Sequence, residues 1–203
     1  MRRRLVLLAV TLLAAIVAST AAAALRTHSI PGYGISVGLP SSWKTINYRD
    51  ILKPGVLQTL ARDNPDLAGS FAAMAQPNSP VKFFAYDPQA VNGFATNVNL
   101  VVLRVPGGIT FADYSRRLVS ELRNVSSVSN LHTAILRLPA GQAVRITYRL
   151  TIALKGRRLS VRTLQYGFLN RGRSMVFTYT TLPATASFYD AVFSASARSI
   201  RFS

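Results

Sequence analysis

Over residues 143–154 every second position is apolar: Val144, Ile146, Tyr148, Leu150, Ile152 and Leu154 share one side, and Arg145, Thr147, Arg149 and Thr151 share the other. A period of two sustained this long belongs to an antiparallel strand with one buried face; a helix would scatter both sets around its axis. Lys155-Gly156-Arg157-Arg158 follows at once and reads as a hairpin connection. Gly156 suits the first central position of a type II′ turn. That choice pairs Lys155 with Arg158, sets Leu154 opposite Leu159 and Ile152 opposite Val161, and brings Arg162 beside Thr151 on the arginine side. Leu164, Tyr166 and Phe168 then put apolar residues on the arginine side too, so both faces are partly covered. Asn170-Arg171-Gly172 turns the chain into another strand over 175–181. A loop of two or of three residues decides which face Phe177 and Tyr179 take, because a one-residue slip inverts a strand, and both registers stay open.

Upstream, Tyr33, Ile35, Val37 and Leu39 alternate with small residues in a strand ended by Pro40, with Trp43 just beyond. Helical spacing over 50–75 is broken by Pro54 and Pro65 into short helices over 56–62 and 66–75, carrying Leu57, Leu60, Leu67, Phe71 and Met74. Each proline fits best near a helix start. Strands are expected over 81–86 and 96–105, the latter closed by Pro106-Gly107-Gly108. Thr110 can cap the next helix while Asp113 lies where the helix dipole favours an acid; Phe111, Tyr114, Leu118 and Leu122 form its core face. A last helix over 184–198 is read with Phe188, Ala191, Val192 and Ala195 inward, followed by an extended tail over 199–203. This order predicts an α+β fold, a central antiparallel β-sheet flanked by helices on both sides in an α/β/α sandwich.

The beginning of the chain sets its destination. Met1-Arg2-Arg3-Arg4, an apolar and small stretch from Leu5 to Ala18, and a small-residue exit over 19–24 are the parts of a bacterial-type secretory signal. Ala22 and Ala24 occupy the −3 and −1 positions of a cut before Leu25, leaving one domain over 25–203; the alternative is an uncleaved anchor, since residues 5–25 match the span of a membrane helix. Either way the bulk is expected to be extracytoplasmic. There is no cysteine, which excludes disulfides, thiolate metal sites, a cysteine nucleophile and a lipidated cysteine anchor.

Lys and Arg number 24 against seven Asp and Glu, a formal charge of +17. From Thr133 onward ten arginines and Lys155 face only Asp190. Such an excess favours anionic partners. Arg145, Arg149, Arg157, Arg158 and Arg162 are the candidate anion-contact face, with anionic lipid headgroups or a wall polymer as its partner and an ordinary solvated strand face as the bland reading. An export signal argues against cellular nucleic acid, although Tyr166 near the arginines could stack on bases.

The stretch Gly34-Ile35-Ser36-Val37-Gly38-Leu39-Pro40-Ser41-Ser42-Trp43-Lys44, the helix over 111–122 and the strand over 141–148 together resemble the PsbP-like family. Gln165-Tyr166, Phe177-Thr178-Tyr179-Thr180 and the closing Phe193 with Ser199-Ile200-Arg201-Phe202 agree, so the resemblance spans nearly the whole mature chain. The family includes photosystem II extrinsic subunits, a Ran-binding import factor of the same fold and actinobacterial exported lipoproteins of the LpqN and LpqT type. The resemblance implies the sandwich fold and a non-catalytic interaction role, with no cofactor and no catalytic set to carry over. The lack of cysteine departs from the lipoprotein members.

One enzyme motif is literally present. Gly34-Ile35-Ser36-Val37-Gly38 fits G-x-S-x-G, and Asp113 and His132 follow in the chain order of an α/β-hydrolase. That mechanism needs a sharp strand-to-helix turn, whereas Ser36 reads as mid-strand before Leu39-Pro40. His28, in a mature N-terminus expected to lack order, and His132, after a Ser- and Asn-rich loop, read as solvated bystanders, and no short-spaced ligand set implies a metal. The reading is therefore an exported non-catalytic binding or accessory protein of the cell envelope, acting on a protein or anionic envelope component. The alternatives are a small extracytoplasmic hydrolase and a basic module that attaches to lipid or wall polymer.

Overall fold

The structure, a computed structural model, describes residues 24–63, 67–76, 78–154 and 156–203. The export segment including Ala22, the expected helix start at Asp66, and Lys155 of the hairpin lie outside them.

Ten strands and five helices follow in order: β1 (Leu25–Ile30), β2 (Ile35–Pro40), β3 (Lys44–Asn47), α1 (Tyr48–Ile51), α2 (Val56–Asp63), α3 (Ala68–Met74), β4 (Val81–Tyr86), β5 (Asn97–Arg104), α4 (Phe111–Arg123), β6 (Val128–Leu138), β7 (Gly141–Leu154), β8 (Arg157–Asn170), β9 (Arg173–Thr181), α5 (Ala186–Ser199) and β10 (Arg201–Phe202). Seven strands make one antiparallel sheet in the order β3-β4-β5-β9-β8-β7-β6, and β1-β2-β10 make a separate three-stranded sheet. The strand expected first, with Ile35, Val37 and Leu39 inward, therefore belongs to the small sheet. His28, expected in a disordered lead, is the β1 partner of Val37.

Alternation gives the large sheet two faces. On the first face Val98, Leu100, Tyr166, Phe168, Phe177 and Tyr179 meet Ile35, Val37 and Leu39 of the small sheet and Tyr189, Phe193, Ala197 and Ile200 from α5 and its end. On the second face α4 packs on Val144, Ile146 and Tyr148, while α1 to α3 pack on Ile46, Phe84 and Tyr86 at the far edge. The sandwich is thus flanked by helices on both sides as expected, with the small sheet sharing one of them.

Two local readings need correction. The β7–β8 hairpin pairs Leu154 with Arg157 and Ile152 with Leu159, so Gly156, at φ 73°, takes the second central position of the turn. The register differs from the expected one by two residues. Faces are therefore kept, but Arg162 lies opposite Arg149 instead of Thr151. In α5 the buried residues are Tyr189, Phe193, Ser196 and Ala197, whereas Phe188 is 66% exposed. The helix turns Tyr189 and Phe193 inward, where the Phe193 ring lies tilted with its centroid 5.0 Å from that of Tyr179 and the Tyr189 hydroxyl donates to buried Asp87 at 2.7 Å. The open register at β8–β9 resolves as a two-residue loop: Asn170 pairs with Arg173, and Arg171 and Gly172 both adopt positive φ, the requirement of a type I′ turn.

Candidate functional site

The strands that carry the first-face core carry a different pattern on their backs. In β5, Asn97 and Asn99 alternate with Val98 and Leu100; in β9, Thr178 and Thr180 alternate with Phe177 and Tyr179. Antiparallel register lines these up across the sheet. Tyr148, Thr163, Thr180 and Asn97 form one cross-strand rung, and Gln165, Thr178 and Asn99 contribute to the next. The second face is therefore polar along the strip between α4 and α3, where an apolar row would need a covering helix.

Beside this strip lies a groove of about 480 Å³ between α4 and β5–β9. Its floor includes Gln165, Ser174 and Thr178, and Arg117, Leu118 and Glu121 of α4 form a wall. Its rim is apolar, with Leu103 51% and Val125 42% exposed. A second hollow of about 500 Å³, lined by Asn97, Thr180, Gly69 and Leu150 among others, continues past Thr178 toward α3.

The floor is held by neutral hydrogen bonds. The Gln165 amide donates to Tyr148 Oη at 3.0 Å and to Thr178 Oγ1 at 3.2 Å, leaving the buried Gln165 Oε1 without a partner. Ser174 Oγ donates to Tyr114 Oη at 3.1 Å. Burial pushes the hydroxyls of Tyr114 and Tyr148 up to about 12, with their hydrogen bonds acting in the opposite sense. Both stay protonated near neutrality, so they offer hydrogen bonds and not a base. None of these floor residues was singled out from sequence as a site, yet the signal was readable as amides and hydroxyls alternating with valine, leucine and aromatics in β5 and β9.

The arginines sit on the other face. Arg145 and Arg149 are exposed on β7, and Arg158 is exposed opposite Ala153. Arg162, directly across from Arg149, is held by both carboxylate oxygens of Asp190 at 3.2 and 2.8 Å. Opposite Arg145 lies Tyr166, whose hydroxyl is raised by burial, against which a hydrogen bond with Ser194 and the charges of Arg145 and Arg198 act. Four of the five candidate arginines thus share the first face, while Arg157 pairs with Leu154 and falls on the second.

The structure keeps Ser36 apart from both Asp113 and His132. Ser36 is mid-strand in β2, paired with Ser29 on one side and Arg201 on the other. Asp113 lies across the large sheet at the start of α4. There its N–H donates to Thr110 Oγ1 at 3.1 Å, and its carboxylate accepts from Thr110 at 2.7 Å and from Arg116. His132 is exposed on edge strand β6.

A seven-stranded antiparallel sheet, roofed by one helix and a three-stranded sheet on one side and by the remaining helices on the other, is the PsbP-like fold. No family model and no curated protein matches the sequence. Among solved structures, cyanobacterial PsbP (CyanoP) from Synechocystis sp. PCC 6803 is similar at TM-score 0.56 and 15% identity, over 91% of this chain and 96% of that one. LpqN, involved in cell envelope biogenesis of Mycobacterium tuberculosis, is similar at TM-score 0.55 and 11% identity, over 88% and 90%. The Saccharomyces cerevisiae Ran-binding protein Mog1p is similar at TM-score 0.52 and 10% identity, over 88% and 95%.

Proposed function

We propose that this chain is an exported binding or accessory protein of the cell envelope, and that it holds an extended segment of a protein partner in the second-face groove. The observation that carries this is a recessed groove in which a few polar groups, Gln165, Ser174 and Thr178, stand among apolar residues such as Val101, Val176, Leu103 and Val125. Gln165, Ser174 and Thr178 can meet main-chain amides while Leu103 and Val125 cover side chains. Recessed sites with a few placed polar groups among apolar walls are the usual form of a ligand site. The similar folds of a Ran-binding protein and of an envelope-biogenesis protein support a binding role, and the N-terminal signal pattern supports the address.

The test is photo-crosslinking from position 103 or 125 in exporting cells, repeated with Thr178→Trp to fill the groove. A discrete adduct that disappears in the filled variant, with thermal unfolding unchanged, is the expected result. An adduct that survives Thr178→Trp refutes the groove. A hydrolytic activity lost in Ser36→Ala with folding intact refutes the binding role.

A further inference from the structure

The first face carries a positive surface that the groove does not use. Arg145, Arg149 and Arg158 are exposed on neighbouring strands, and the charge of exposed Arg198 of α5, like that of Arg145, acts on the Tyr166 hydroxyl. Asp190, the acid that meets this group, is engaged with Arg162. Arg149 and Arg162 face each other across the ladder, an arrangement of like charges that weakens a sheet unless an anion sits between them. Asp190 relieves Arg162, and among the described residues no carboxylate pairs with Arg149.

The place where the chain enters the fold adds a second, independent observation. Leu25 begins β1 beside Gly38, and a Cβ added at Gly38 would meet Leu25 Cβ at 3.2 Å and Ser199 Cβ at 3.1 Å. Ser199 follows Arg198 directly and accepts from the Gly38 N–H at 2.6 Å. Leu25, at the start of β1, therefore lies next to α5's basic end, on the side of the large sheet that carries the arginines.

We infer that the arginine face of β7, β8 and α5 lies against the anionic headgroups of the membrane through which the chain is exported. This rests on the export reading above. A plane of headgroups can meet several of these side chains at once, and guanidinium groups match phosphate oxygens two at a time. Each basic side chain near such a surface adds a factor of about five in affinity. Arg157, on the opposite face, takes no part.

The absence of native cysteine makes the test clean. Ala153→Cys, exposed on the first face between the arginines, and Leu103→Cys, on the second, are each labelled with an environment-sensitive dye in the protein as an exporting host leaves it. The vesicles are phosphatidylcholine alone or equal parts phosphatidylcholine and phosphatidylglycerol. The dye at position 153 is expected to shift with anionic vesicles and to return as salt is raised, while the dye at position 103 stays unchanged. Replacing Arg145, Arg149 and Arg158 together by Gln is expected to weaken the response on the order of a hundredfold, and the charge-matched replacement of Arg116, Arg123 and Arg157, on the second-face side, is not. Equal response at both positions, equal response to neutral vesicles, equal loss in the charge-matched variant, or binding to purified anionic wall polymer without vesicle binding would each overturn the inference. A phosphatase fusion reporting export is run in parallel. Failed export with vesicle binding intact removes the export reading and with it the membrane named here, whereas export without vesicle binding removes the arginine-face contact alone.

Discussion

Gly167 is where α4 comes down on the sheet, and replacing it by alanine tests how that contact sets the groove wall. A Cβ there would lie 2.7 Å from Leu118 Cδ2, 2.8 Å from Tyr114 Oη and 3.0 Å from Val144 Cγ1. Carbon atoms pack at about 3.5–4.0 Å, so the shortfall is close to ~1 Å. Leu118 can rotate away. Tyr114 cannot, because its ring is buried and its hydroxyl is held by Ser174. Glycine here has no left-handed φ to protect, so alanine gains ~0.5–1 kcal/mol of chain entropy while overpacking costs about 1–3 kcal/mol. The balance is a loss of about 1–2 kcal/mol, or a Tm lower by about 2–8 °C. Urea unfolding followed by the fluorescence of Trp43, the single tryptophan, reads this directly, since that ring is buried in the first-face core. Leu118→Ala made in the Gly167→Ala background should recover part of the loss, so the two substitutions should be non-additive. Stability unchanged in Gly167→Ala, or strict additivity with Leu118→Ala, refutes the reasoning.

Thr110→Ala removes the cap of α4 and should cost about 1 kcal/mol in urea unfolding, with the loss largest in hydrogen exchange at the first turn. Tyr189→Phe strips the donor from buried Asp87 and should cost about 1–3 kcal/mol, part of which Asp87→Asn returns because a neutral amide is cheaper to leave unpaired. Tyr114, Tyr148 and Tyr189 hold their protons in the fold up to about 12, against an ordinary value of 10. The unfolded chain releases those protons first, so stability present below pH 10 should fall as pH rises toward 12 in a thermal-melt series. His28 is shifted the other way, below the ordinary 6.5, by burial and then by Arg26. Stability should therefore fall as pH drops through that range, and His28→Leu should flatten this limb.

The sequence was most readable where one side of an element is buried and the other wet. The β7 alternation, the Thr110 cap and the apolar face of α4 survive unchanged because burial and local chemistry agree there. β6 escaped notice because an edge strand over Ser129, Asn130 and His132 is exposed on much of its length and carries a bulge with Asn130 at φ 53°, so little period remains. In α5, Phe188 and Val192 mark one stripe and Tyr189 and Phe193 another; only the acceptor at Asp87 and the ring of Tyr179 decide between them, and both are distant in sequence. The arginine face was visible as alternation, whereas assigning Arg157 to the other side needed the turn register. The groove floor is assembled from single polar residues on three or more strands, so each looks unremarkable in its own segment.

The small sheet also governs when the molecule can finish folding. β2 is held on one edge by β1 and on the other by β10, so Ser36 waits for Arg201. Ile35, Val37 and Leu39 cannot be sealed until α5 and Ile200 arrive. Closing so long a loop is slow more than costly, since loop-closure entropy grows only with the logarithm of length while non-local pairing limits the rate. In a chain that emerges N-terminus first, β10 acts as a latch, and the first-face core stays unsealed until residues 201–202 are free to pair with β2.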